Sequence, residues 1–126
     1  MFKTHAAAIE AALQNCAAVA THSLHTVELS PHMGYVEGEA LFVDGSRLIF
    51  FEFLRQSGSA LNREKYRYHY MDANHQLIFR YDNAPHHLNV GTFPHHKHIP
   101  SGITNSSAPA FAVVLAEAEK RVLGIP

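Results

Sequence analysis

From Tyr35 to Leu54 apolar and polar residues alternate on both sides of an Asp44-Gly45 step, the pattern of two strands joined by a tight hairpin. A two-residue loop pairs Val43 with Ser46 and Phe42 with Arg47. It predicts a core face of Val36, Gly38, Ala40 and Phe42 opposite Ile49, Phe51 and Phe53. The other face then carries Glu37 directly across from Glu52. A second alternating stretch, Lys65 to Asp82, breaks at 72–75; its hairpin pairs Tyr70 with Leu77, Tyr68 with Phe79 and Tyr66 with Tyr81. These side chains share one face, as core packing requires, and the opposite face sets Lys65, Arg67 and His69 against Asp82, Arg80 and Ile78. A one-residue slip in either hairpin would exchange its faces. The stretch QSGS, 56–59, supplies the turn between the hairpins.

Helical spacing replaces the alternation at both ends. Residues 4–23 are Ala-rich, with Ile9, Leu13, Ala17 and Ala20 on one stripe and Thr4 as N-cap. Near the C-terminus Phe111, Val114, Leu115, Ala118 and Val122 form a second stripe. Ser106 or Ser107 is its cap, Lys120 and Arg121 fill the last turn, and Gly124 is the stop. LNVGTF, 88–93, is a candidate short fifth strand, and 99–109 reads as loop. The expected fold is a single α+β domain over 1–126: a twisted antiparallel sheet of four or five strands with N- and C-terminal helices packed on one face. The open edges of such a sheet offer a route to a homodimer.

Composition narrows the function classes. With 126 residues, 47% hydrophobic and 17% charged, the chain describes an ordinary globule. Its formal charge of −1 provides no global basic field, so any anion site is local. The single Cys16 excludes an intrachain disulfide framework and a Cys-rich zinc site. With no signal-peptide pattern and no apolar run near the roughly 20 residues of a membrane span, the expected location is the cytoplasm, away from membranes.

Eleven histidines change that picture, five of them within FRYDNAPHHLNVGTFPHHKH, 79–98. On an extended segment His96 and His98 point to one side and His95 to the other, so His96 and His98 with His86 can serve as ligands for a divalent metal such as Zn, Mn or Ni. The same rings suit metal-free cleavage of RNA through its 2′-hydroxyl, which needs a base, an acid and cations for the charge building on phosphorus. Arg67 and Arg80, opposed across the second hairpin, match phosphate geometry; a solvated outer face accommodates such a pair equally. Glu37 and Glu52 read either as an acid/base couple or as two solvated glutamates. A third reading makes the histidine loop a non-catalytic surface that docks a protein.

At 66–100 the strings FRYDNAPHH and FPHHKH resemble the TumE family of small bacterial proteins, more loosely with DGSRLIFFE at 44–52 and the flanking helices. The family pattern takes in Tyr68 and His69, then Arg80 to Asn83, Pro85, His86 and His87, then Pro94 to His98. The resemblance implies the toxin of a toxin–antitoxin pair, beside a helix-turn-helix antitoxin. The combined expectation is a toxin acting on RNA without an obligatory metal. Arg67 and Arg80 would hold phosphate; His69 with His86, His87, His95 or His96 would move protons. Asp82 would orient a histidine or Arg80, with Glu52 in a supporting role. The alternatives are a metal-dependent phosphoesterase or nuclease built on the histidine loop with Asp82 or Glu52, and the non-catalytic interaction module.

Overall fold

A computed structural model describes residues 1–85 and 91–126. The elements run α1 (Phe2–Asn15), β1 (Val19–Ser30), β2 (Met33–Phe42), β3 (Arg47–Ser57), β4 (Ala60–Met71), β5 (Leu77–Asp82), β6 (His96–Ile99), β7 (Gly102–Asn105) and α2 (Phe111–Leu123). The strands form one sheet in chain order, β1 to β7, every neighbouring pair antiparallel. Ala6, Ile9 and Leu13 of α1 and Phe111, Val114, Leu115 and Ala118 of α2 join one core with Val36, Ala40, Phe42, Leu48, Phe50, Tyr66, Tyr68, Tyr70 and Phe79. Both helices therefore cover the same face, and the α+β class is as the alternation predicts.

The sheet has seven strands among the described residues, not four or five. One addition comes from the N-terminal stripe, where α1 stops at Asn15 and Cys16 is already extended. The Ala-rich composition carries the helical pattern onward to Ser23. Beyond Cys16, however, β-branched Val19, Thr21, Thr26 and Val27 favour extended backbone, and the segment pairs with β2 along its length. The other additions are β6 and β7, each four residues long, too short for alternation to register; Gly102 of the supposed loop opens β7 opposite Ile99. Of the candidate strand at 88–93, Gly91 to Phe93 form a turn and 88–90 lie outside the described residues. The helix caps also differ. Met1 caps α1, with Thr4 inside the helix, and Ala110 caps α2, neither with a side-chain bond. Gly124 ends α2 in the left-handed conformation with Lys120 and Arg121 in the last turn, as expected.

The first hairpin is one residue out of the expected register. Phe42 donates its N–H to Ser46 O at 2.9 Å, Leu41 pairs with Arg47, and Gly45 takes φ 86° in a longer turn that Asp44 braces by accepting from Ser46 N–H at 2.9 Å. The slip turns β3 over. Leu48, Phe50, Glu52 and Leu54 are buried, whereas Ile49, Phe51 and Phe53 lie half-buried on the face without helices. Glu37 consequently stands across from Phe51 and Glu52 across from Val36, so the expected glutamate pair does not exist. The second hairpin is shifted by two, which preserves its faces: Tyr70 pairs with Phe79, Tyr68 with Tyr81, His69 with Arg80 and Arg67 with Asp82. Arg67 and Arg80 are thus not directly opposed: Arg67 faces Asp82 and Arg80 faces His69.

Candidate functional site

Three short repeats of the form x-any-x carry the polar face: Arg67 and His69 on β4, Arg80 and Asp82 on β5, His96 and His98 on β6. Two-residue spacing puts each pair on one side of its strand, and the registers align them in two rows. Arg67 faces Asp82, which faces His96; His69 faces Arg80, which faces His98. Adjacent strands lie about 4.8 Å apart, so the six side chains occupy a patch about 10 Å wide. They stand opposite the buried tyrosines, on the face that carries no helix.

Asp82 is the centre of this array and is 4% exposed. It accepts Arg80 Nε–H at 3.0 Å and the Ala84 backbone N–H at 3.0 Å. His96 Nε2 lies 2.8 Å from Asp82 Oδ1, and His98 Nε2 lies 3.5 Å from Oδ2. The other nitrogen of His96, Nδ1, sits 2.9 Å from Pro94 O. Both ring nitrogens of His96 therefore face oxygen atoms, which fixes the orientation of the ring. Asn83 fixes the end of β5 by accepting Tyr66 N–H at 3.0 Å and donating to Glu64 O at 2.9 Å.

His69 has the opposite surroundings. Burial is the largest influence holding its pKa below the usual 6.5, followed by the charges of Arg80, Arg67 and His98. Its Nδ1 is buried without a hydrogen-bond partner, an orphan among the described residues. The array thus joins a ring whose charged form is disfavoured by burial and then by cations to rings that contact a carboxylate, the separation of environments on which acid and base roles depend.

Beside the array a cleft of about 440 Å³ is lined by Phe51, Lys65, Arg67, Arg80, Asp82, Asn83 and neighbouring residues. Among the described residues neither Lys65 nor Arg67 forms an ion pair; the Arg67 guanidinium lies 5.7 Å from the Phe51 ring centroid. Of the expected site residues, Arg67, His69, Arg80, Asp82 and His96 come together, and His98, expected as a metal ligand, joins them. His95 is directed elsewhere: its Nδ1 lies 2.8 Å from Tyr66 Oη and the two rings stack at 5.8 Å. His86 and His87 lie outside the described residues. Glu52, expected near this face, is on the helix side. There it is fully buried, with His5 Nε2 at 2.6 Å, the Tyr68 hydroxyl donating to it and Arg63 Nη1 at 4.0 Å. Sequence reasoning missed Lys65, Asn83 and Phe51 as cleft residues; for Phe51 the turn length was the deciding unknown.

Asp82, His96 and His98 also meet the requirements of a cation site, each offering a ligand atom within 4.8 Å of the others. Fold and site together define a small α+β protein whose open sheet face carries an arginine, histidine and aspartate array. A family model described as the toxin TumE matches residues 9–122, nearly the whole chain, and the chain belongs to the TumE toxin family. That membership gives it a toxin-like role and implies an antitoxin partner. No curated protein and no solved structure matches the chain at a significant level. Among the described residues no helix is long and apolar enough to cross a membrane.

Proposed function

We propose that this toxin acts on RNA and cleaves a phosphodiester bond at the Arg67, His69, Arg80, Asp82, His98 array, with a helix-turn-helix antitoxin as its partner. The observation that carries the reading is the double row across β4, β5 and β6, which sets His69, with its orphaned Nδ1, beside two arginines. Phosphate docks on Arg67 and on the guanidinium nitrogens of Arg80 that its Nε contact with Asp82 leaves available. His69 takes the proton of the 2′-hydroxyl as that oxygen attacks phosphorus. His98, about a quarter exposed, protonates the departing 5′-oxygen. The products are a 2′,3′-cyclic phosphate and a free 5′-hydroxyl, and the two arginines offset the charge that accumulates on phosphorus between them. His96, 2% exposed, acts by positioning Asp82, which in turn orients Arg80 and His98. Induced expression tests the proposal: wild type arrests growth with fragmented RNA, and Arg67→Ala with Arg80→Ala does neither. Equal growth and intact RNA for both proteins would remove the case for an enzyme at this face.

A second reading rests on the same carboxylate and rings. With Asp82, His96 and His98 as ligands, a zinc, manganese or nickel ion would supply the cation and activate water. Stoichiometric metal after purification, and cleavage abolished by chelator, would favour it over the metal-free scheme.

A further inference from the structure

We propose that the aromatic side chains beside the array form a base-stacking platform for single-stranded RNA, with Phe51 as the first base site. This rests on the phosphate-binding role given above to Arg67 and Arg80, and it names the form of RNA that the site accepts. The turned-over β3 puts Phe51 on the helix-free face, in the same row as Arg67 and Asp82. Tyr35 of β2 continues from it, with ring centroids 5.8 Å apart, and His25 of β1 meets the Tyr35 edge at 6.5 Å. Tyr66, Tyr68 and Tyr70 are 3% exposed or less and belong to the core. Among the described residues the half-buried rings beside these cations are therefore those of β2 and β3, Tyr35 and Phe51.

Charge decides the occupant. Lys65, Arg67 and Arg80 line the first cleft with Phe51; its carboxylates, Asp82 and Glu64, are paired with Arg80 and Arg55, which leaves Lys65 and Arg67 for a phosphate. A second cleft of about 300 Å³ shares Arg67 and is also lined by Ser23, His25, Glu37 and Glu39; Glu39 is paired with Arg47, and the Glu37 carboxylate disfavours phosphate and can accept the amino group of a base. Phe51 on β3 stands two strands from Asp82 on β5, about 10 Å, within the reach of one nucleotide from phosphate to base. Unpaired bases can lie on such rings, whereas a duplex holds its bases inside the stack. The Arg67 guanidinium near the Phe51 ring closes the base site from one side.

Binding of a 2′-O-methylated RNA oligonucleotide tests this without cleavage, because its nucleophile is blocked. The expected result is that the full chain binds the single strand more tightly than the duplex. Phe51→Leu should weaken single-strand binding about five- to a hundredfold, and Phe51→Tyr should keep near wild-type affinity. Retained affinity in Phe51→Leu, equal weakness of Phe51→Tyr, or equal binding of the duplex overturns the platform. If Phe51→Leu binds normally while Arg67→Ala does not, the platform falls and the phosphate reading stands; if wild type binds neither probe, both fall. Self-association that Phe51→Leu abolishes, with RNA affinity intact, assigns the face to a second copy and overturns the proposal.

Discussion

Removing one hydroxyl from the core, Tyr68→Phe, tests the register that turns Glu52 inward. Tyr68 and Glu52 are both fully buried; the hydroxyl donates to the Glu52 carboxylate and accepts from Arg63 Nη1 at 2.6 Å. Burial and the neighbouring Glu52 charge push the Tyr68 hydroxyl far above its ordinary pKa, so it remains a proton donor throughout the working range. A hydrogen bond to a charged group contributes roughly 1.5–3 kcal/mol. The variant loses two such contacts through one atom, while Glu52 keeps His5 at 2.6 Å and Arg63 keeps Pro109 O at 2.6 Å. The net cost is then about 3 kcal/mol, or about 10 °C in Tm for a domain of this size. Urea denaturation should show a lower midpoint at an unchanged m-value. Tyr70→Phe is the internal control: among the described residues its hydroxyl meets only neutral Ser46 Oγ, at 2.7 Å, and its loss should cost about 1 kcal/mol. Equal, small effects for the two variants would mean that Glu52 is solvated, and the register argument would be wrong.

Three further outcomes follow from the same geometry. His69 should titrate below 6.5 by NMR, because burial and then Arg80, Arg67 and His98 disfavour its charged form; Arg80→Gln should move it upward, and a His69 titration at or above 6.5 in the wild type would contradict the assignment. Between the folded pKa and 6.5 the unfolded chain binds the extra proton, so His69 costs stability as pH falls through that window and contributes its full share above it; His69→Gln should flatten this part of the stability profile. Gly45→Ala places a side chain at φ 86°, with its Cβ 3.0 Å from that of Ala73, and should destabilise by about 1–2 kcal/mol in a chemical melt.

The fold class was legible because the two central hairpins and the C-terminal helix obey simple periods. What eluded the pattern was local. One residue more in the turn at Asp44-Gly45 exchanged Glu52 for Phe51, and alternation cannot fix turn length when both faces of β3 are rich in large apolar residues. The four-residue strand β6 gains its order from pairing with β5, and β7 from pairing with β6, contacts that no local propensity encodes. For the array, Arg67-x-His69, Arg80-x-Asp82 and His96-x-His98 already declared which side chains share a face of their own strand. Their alignment across three strands depends on the bulge at Tyr70 and Met71, and that needed coordinates.

Purified protein acting on single-stranded RNA in the presence of chelator examines the proposed chemistry most directly. The wild type should yield fragments ending in 2′,3′-cyclic phosphate, and His69→Ala should be slower by roughly 10²–10⁴-fold with its fold intact. Cleavage at the wild-type rate by His69→Ala, or no cleavage by either protein, would contradict the assignment of this sheet face as a ribonuclease site.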